Sequence, residues 1–268
     1  MEYNTYIEDQ ILEMYIDQMD EVVEAFESEM VEFESILEAE GTELSTDVNT
    51  NKTSKLKALY EKLKPYLEKF IEAFSRIVDI VKTRLEKLLP LLAGKFKIAG
   101  KAEDDISILK YDAAKTNATT INTIFKDLDN QVLKPIDSGQ NPKTNTLDDF
   151  RNKFDEVEYN KFVKEDNNII QFKKGAVIRN NTFTGVSNAS ADVQKLLDES
   201  KPRSKEFQKD LNSVIPQVER ANNDVSDNLK LHHDGLYFGI KLYQNMARYG
   251  TKLVDDLGKM TKNCEAVS

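Results

Sequence analysis

The chain has 268 residues, 40% of them hydrophobic, which is enough to bury a core in one large domain or two modest ones and excludes disorder throughout. Its formal net charge of −10, taken as an average, argues against a nucleic-acid partner. A single cysteine, Cys264, excludes an intrachain disulfide and points to a reducing compartment; the first thirty residues hold no Lys or Arg to start a secretory signal, and the most apolar stretch, 88–94, falls far short of the ~20 residues of a membrane span.

The charge is not evenly spread. All 37 basic side chains but only 31 of the 47 acidic ones lie beyond residue 48, so residues 49–268 carry +6 while residues 1–48 are wholly acidic. Within that leader Ile7, Ile11, Met14, Met19, Val22, Phe26, Met30, Phe33 and Leu37 recur every three to five residues and predict one long amphipathic helix. With every charge negative, no i,i+4 pair inside it is attractive. Its stability must come from a partner surface, preferably a basic one, unless its acids simply solvate the outer face of an ordinary helix. Gly41, Thr42, Ser45, Thr46, Asn49, Thr50, Asn51, Thr53 and Ser54 then predict an exposed linker.

Residues 55–92 hold the strongest periodicity, with Tyr60, Leu63, Leu67, Phe70, Phe74, Ile77, Val81, Leu85, Leu88 and Leu92 at alternating three- and four-residue steps, a coiled-coil-like pattern. Pro65 predicts a kink or a separate first turn, and Pro90 with Gly94 predicts the end. The outer face offers Lys55, Lys62, Lys69, Arg76, Lys82, Arg84 and Lys87 as an interaction surface for the acidic leader, a nucleic-acid backbone or an anionic membrane; a solvated bundle face with scattered acids is the plainer reading.

Further along, residues 103–133 predict a helix through Ile106, Leu109, Ala113, Ile121, Ile124, Leu128 and Val132 that stops at Pro135. Thr146-Leu147-Asp148-Asp149 resembles a capping box and opens another helix with Phe150, Phe154, Val157 and Phe162. Ile169, Ile170, Phe172, Val177, Ile178 and Phe183, interrupted by Lys174-Gly175, Asn180-Asn181 and Gly185, predict a small hairpin. A short helix over 190–199 and an antiparallel pair over 203–231 and 236–257 follow, with Pro216 bending the first of the pair and His232-His233-Asp234-Gly235 as their turn. The whole is mainly α: an elongated helical bundle with coiled-coil-like helices and a β-hairpin insertion near 167–186. It divides into the leader helix (1–48), a helical region (49–165), the hairpin (166–187) and a C-terminal helical pair (188–268).

Chemistry has little material to use. The only two histidines, His232 and His233, are adjacent and point about 100° apart on a helix, so they cannot form an i,i+4 metal pair; a polar helix end is the expected role. Lys173-Lys174-Gly175 lacks the spacing of a phosphate loop, and no two carboxylates stand out as an acid and base pair. No cofactor, no metal site and no catalytic residue is expected.

The start, Met1-Glu2-Tyr3-Asn4-Thr5-Tyr6-Ile7-Glu8-Asp9, leading into an acidic helix and a small-residue linker, resembles in its organisation the internal head and prohead-core proteins of tailed bacteriophages. The resemblance covers the first fifty residues or so and implies an N-terminal propeptide that a prohead protease removes after a small or aliphatic residue, any residue, then Glu. Ile36-Leu37-Glu38 and Gly41-Thr42-Glu43 match that pattern, making Glu38 and Glu43 the candidate processing sites. The function so implied is a non-enzymatic virion or assembly protein of the capsid interior or host cytoplasm. The leader would serve as targeting or scaffold contact, and the body would meet other virion proteins, packaged DNA through a weak basic surface, or further copies of itself. A membrane-active helical effector and a helical adaptor binding a host protein are the alternatives.

Overall fold

Helices of 37, 50, 41 and 38 residues carry the architecture of the computed structural model, which describes residues 2–38, 46–95, 100–143, 146–220 and 225–266. The chain is mainly α and forms a helical bundle, as its periodicity predicts. α1 (Glu2–Glu38) buries Leu12, Met19, Val22, Val23, Phe26, Phe33 and Ile36 along one stripe, whereas Met14, expected on that stripe, is 45% exposed. α2 (Thr46–Lys95) begins earlier than expected, so Thr46, Asn49, Thr50, Asn51, Thr53 and Ser54 are helical rather than linker, and Gly41, Thr42 and Ser45 lie outside the described residues. Phe33 meets Tyr60 edge-on at 6.2 Å, and burial of Leu56, Leu59 and Tyr60 beside it overrides the weak helix propensity of those polar residues. Pro65 and Pro90 sit inside one continuous helix on its exposed side, where water can bond the carbonyls that lose an amide partner.

The segment 103–133 is not one helix. β1 (Gly100–Ala102) and β2 (Ile106–Leu109) precede α3 (Tyr111–Leu128), because Ile106, Ile108 and Leu109 are buried in a ladder rather than along a helical stripe. α3 passes through a π-helical turn at Asp129–Leu133 into α4 (Lys134–Asp137), and the break comes at Ser138 and Gly139 rather than at Pro135. Pro135 has no N–H, and the Gln131 carbonyl four residues before it accepts the Lys143 amide at 2.8 Å instead. α5 (Asp148–Asp155) opens with the Thr146 hydroxyl accepting the Asp148 amide at 3.2 Å, and α6 (Tyr159–Phe162) follows.

Strands do form between residues 167 and 186, as β3 (Ile169–Phe172) and β4 (Val177–Ile178), but they do not pair with each other. β3 pairs antiparallel with β2, Ile108 opposite Ile170, and β4 pairs with β1, Gly100 opposite Ile178. The turn between them places Gly175 at φ 84°, open to glycine without strain, and Asp105 holds it by accepting the Lys174 amide at 2.8 Å and Lys173 Nζ at 3.0 Å. Asn180 and Asn181 start a helix instead of a turn: α7 (Asn180–Arg220) runs unbroken through residues 190–199 and 203, with Phe183 on its buried side. α8 (Val225–Lys262) follows, and β5 (Cys264–Ala266) completes the sheet β4-β1-β5.

His232 to Gly235 therefore lie within α8 and not in a turn; α7 ends at Arg220 and α8 begins at Val225, with residues 221–224 outside the described set. Gly235 is accommodated because its missing side chain lets Leu133 approach, 3.2 Å from where a Cβ would stand. The main core gathers where α2, α3, α7 and α8 meet, with Tyr243 ringed by Phe125 at 4.3 Å, Phe74 at 5.1 Å and Phe207 at 5.3 Å. Such aromatic pairs add about 0.5–1.5 kcal/mol each beyond burial. A second core of Leu85, Leu92, Ile106, Ile108, Ile178, Phe183 and Met260 fills the end closed by the strands.

Candidate functional site

The acidic leader meets its basic partner within its own chain. α1 lies against α2 and α8, and its acids are met by cations from those two helices: Glu8 by Lys87 (2.5 Å), Asp9 by Arg84 (2.6 Å), Asp20 by Arg248 (2.5 Å), Glu29 by Lys62 (2.6 Å) and Glu34 by Lys230 (2.9 Å). Only Lys230–Glu34 is exposed on both sides, but every pair has one partner about a third or more exposed to screening water, so each contributes about 1 kcal/mol, the buried stripe does most of the holding and the charges set register. Arg84 differs, with a side chain only 7% exposed between Asp9 of α1 and Asp255 of α8. Burial pushes the Asp255 carboxyl up and the Arg84 guanidinium pulls it back in part.

The seven cations expected to form one surface are thereby divided. Lys62, Arg84 and Lys87 face the α1 seam, while Lys55, Lys69, Arg76 and Lys82 are exposed, Lys69 lying 5.8 Å from the Tyr66 ring centroid. The exposed four alternate with Glu61, Glu68, Glu72, Asp79 and Glu86, so the outer face of α2 is mixed in sign rather than a basic stripe. Ile77, Val81 and Leu85 are buried, which turns inward the face that a membrane-active helix would lay on lipid. Among the described residues no helix is long and apolar enough to cross a membrane. Glu38 closes α1, and Glu43 lies outside the described residues.

Sequence reasoning missed a buried polar chain that ties the π-helical turn and α4 to α7 and α8. Arg203 donates to Asp129 (Nη2 2.5 Å, Nε 2.9 Å) and to Asp210 (Nη1 2.6 Å), and lies over the rings of Phe207 and Phe125 at 5.4 and 6.0 Å. Lys134 pairs with the other Asp129 oxygen at 2.7 Å. Asp137 receives the Ser213 hydroxyl at 2.6 Å and His232 Nε2 at 3.0 Å, both on the same oxygen. Burial would raise Asp137, but the bonds from His232, Asp210 and Ser213 hold it below the ordinary carboxylate range. Burial drives Asp210 the opposite way, with Asp137 beside it, and the guanidinium only partly opposes the rise. The two carboxyls are thus pushed in opposite directions, Asp137 down and Asp210 up.

This geometry pins helices; it does not assemble a nucleophile. Ser213 and His232 meet on Asp137 rather than on each other, so the imidazole is not placed to draw the hydroxyl proton. Neither histidine is a polar helix end, since both are fully buried. Gly235, a stop signal in sequence, lies inside α8 because Leu133, Val132 and Leu128 pack where its side chain would stand. Among the described residues no group of three His, Cys, Asp or Glu side chains is arranged to hold a metal. No protein family, curated protein or solved structure matches the chain.

Proposed function

We propose that this chain is a non-enzymatic assembly protein of a bacteriophage virion, housed in the capsid interior, whose acidic helix α1 is a detachable shield over the body. The observation that carries the reading is that α1 contains no cation and is anchored by cations of α2 and α8, all outside the segment a protease acting after Glu38 or Glu43 would release. Detachment leaves an apolar strip flanked by Lys62, Arg84, Lys87, Lys230 and Arg248 on a body that is net basic, a surface suited to acidic helices of other virion proteins. Packaged DNA would be held there only weakly, since +6 over residues 49–268 supports few phosphate contacts.

The mass of the mature protein taken from its natural particle tests the proposal. Loss of the first 38 or 43 residues is the expected result, and a chain intact through Thr50 would remove the propeptide role.

A further inference from the structure

The seat of α1 contains an unsatisfied polar group beneath the C-terminal third of that helix. His233 of α8 is fully buried, stacked on Phe33 of α1 with ring centroids 4.5 Å apart and planes 14° from parallel. Phe26 of α1 lies 6.4 Å away and Tyr60 of α2 6.1 Å away. Among the described residues neither ring nitrogen of His233 has a hydrogen-bond partner, and neither does the Tyr60 hydroxyl. A neutral imidazole always carries one N–H and one bare nitrogen, so the docked state leaves both desolvated without compensation.

A proton makes that position untenable. The imidazolium would bring two donors and a full charge into a cage of rings, where the attraction of a ring face for a cation is far smaller than the hydration given up. The ionisable groups around the cage offer no counter-charge. His232 and Asp234 flank it on α8; burial raises the Asp234 carboxyl, Arg151 and Lys230 pull it back in part, and Arg151 already pairs with it at 3.7 Å. From α2 come Tyr60, held neutral by burial, and Lys62, which is occupied with Glu29 of α1; Glu34 of α1 is occupied with Lys230. Burial, with His232 adding to it, holds His233 down at about 3. Two of the three cage rings belong to α1, so lifting that helix is the shortest way to bring water to the imidazole.

We propose that His233 is an acid-operated catch for α1: once protonated it cannot remain in the cage, and α1 lifts from α2 and α8, baring the apolar strip and its flanking cations. This rests on the reading of α1 as a detachable shield and adds a route to detachment that needs no protease. The sign follows from linkage. The docked state keeps the imidazole neutral, while the undocked state gives it an ordinary value of about 6.5; docking is therefore fully favoured above that pH and weakens by up to tenfold per pH unit below it, until the docked form itself takes the proton.

Hydrogen exchange of the full-length protein, corrected for the intrinsic rate, measures it. Protection across α1 is expected to fall by at least about tenfold between about pH 7 and about pH 5, before most carboxylates protonate, while α7 stays protected. In His233→Phe, which keeps the stack and removes the titration, α1 protection should be unchanged over the same interval. Wild-type protein that keeps its neutral-pH protection at about pH 5, or a His233→Phe protein that loses it as steeply, overturns the proposal. Should the variant not fold, the wild-type imidazole resonances decide, because the chain has only two histidines. His233 must remain neutral wherever α1 is protected, and an ordinary titration with α1 still docked refutes the catch. An intact α1 in the natural particle would end the propeptide reading and leave this result standing; processing without acid opening would do the reverse.

Discussion

Arg203 is the side chain on which the buried polar chain turns, and Arg203→Met removes its charge while keeping a stem to pack on Phe125 and Phe207. Its side chain is 12% exposed and makes charge-assisted bonds to two aspartates, each bond worth about 1.5–3 kcal/mol. Breaking a buried pair by removing one partner ordinarily costs about 3–5 kcal/mol, because the other charge is stranded. Two features moderate the loss: Asp129 retains Lys134, and Asp210 can keep its proton. We expect about 3 kcal/mol, or a fall in Tm of roughly 6–12 °C for a chain of this size. Urea unfolding at neutral pH, followed by far-UV circular dichroism, measures it. A change below about 1 kcal/mol would show that the turn between α3 and α4 is held by its apolar contacts alone, and that the polar chain is incidental.

Other expectations concern pH, docking and packing. Asp210, raised to about 8, favours the folded state most below its unfolded value and loses that contribution as pH rises through about 8; Asp210→Asn should therefore gain stability over wild type at about pH 8, with the gain vanishing toward about pH 4 in parallel unfolding titrations. Phe33→Ala empties the stack on His233 and should strip hydrogen-exchange protection from α1 while α8 keeps its own; simultaneous loss in both helices would mean that α1 is not a separable unit. Raising salt from about 0.01 M to about 1 M, which shortens the screening length tenfold, should weaken α1 docking by no more than about 2 kcal/mol by the same measurement, since the apolar stripe carries it. At Gly185 an added Cβ would stand 2.3 Å from the Tyr111 ring, so Gly185→Ala should cost about 1–3 kcal/mol in thermal unfolding, and adding Tyr111→Ala should recover part of it.

How far the chain could be read in advance differed from element to element. The stripe through Met19, Val22, Phe26 and Phe33 and the 55–92 heptads depend on neighbours three and four residues away, and both stretches are helical, although α2 extends beyond its heptads at both ends. Beta structure near 170 was equally legible in its composition. Its partners were not, because pairing Ile108 with Ile170 joins residues far apart in sequence that no local pattern connects. The site shows the same limit: Arg84 and Lys87 read as outward cations until Asp9 and Glu8 arrive from another helix.

The sequence by itself determined that residues 11–33, 55–92 and 236–257 are helical, that the first forty-eight residues carry only negative charge, and that such a helix needs cations from elsewhere, all consequences of spacing and composition. Only the tertiary structure decided that those cations belong to α2 and α8 of the same chain, that Asp137, Asp210 and Arg203 meet in one buried chain, and that His233 is caged by rings from two other helices. The physical reason is that helix formation is settled over a turn or two of backbone, whereas burial, charge pairing and the fate of a proton depend on which distant surfaces exclude water together.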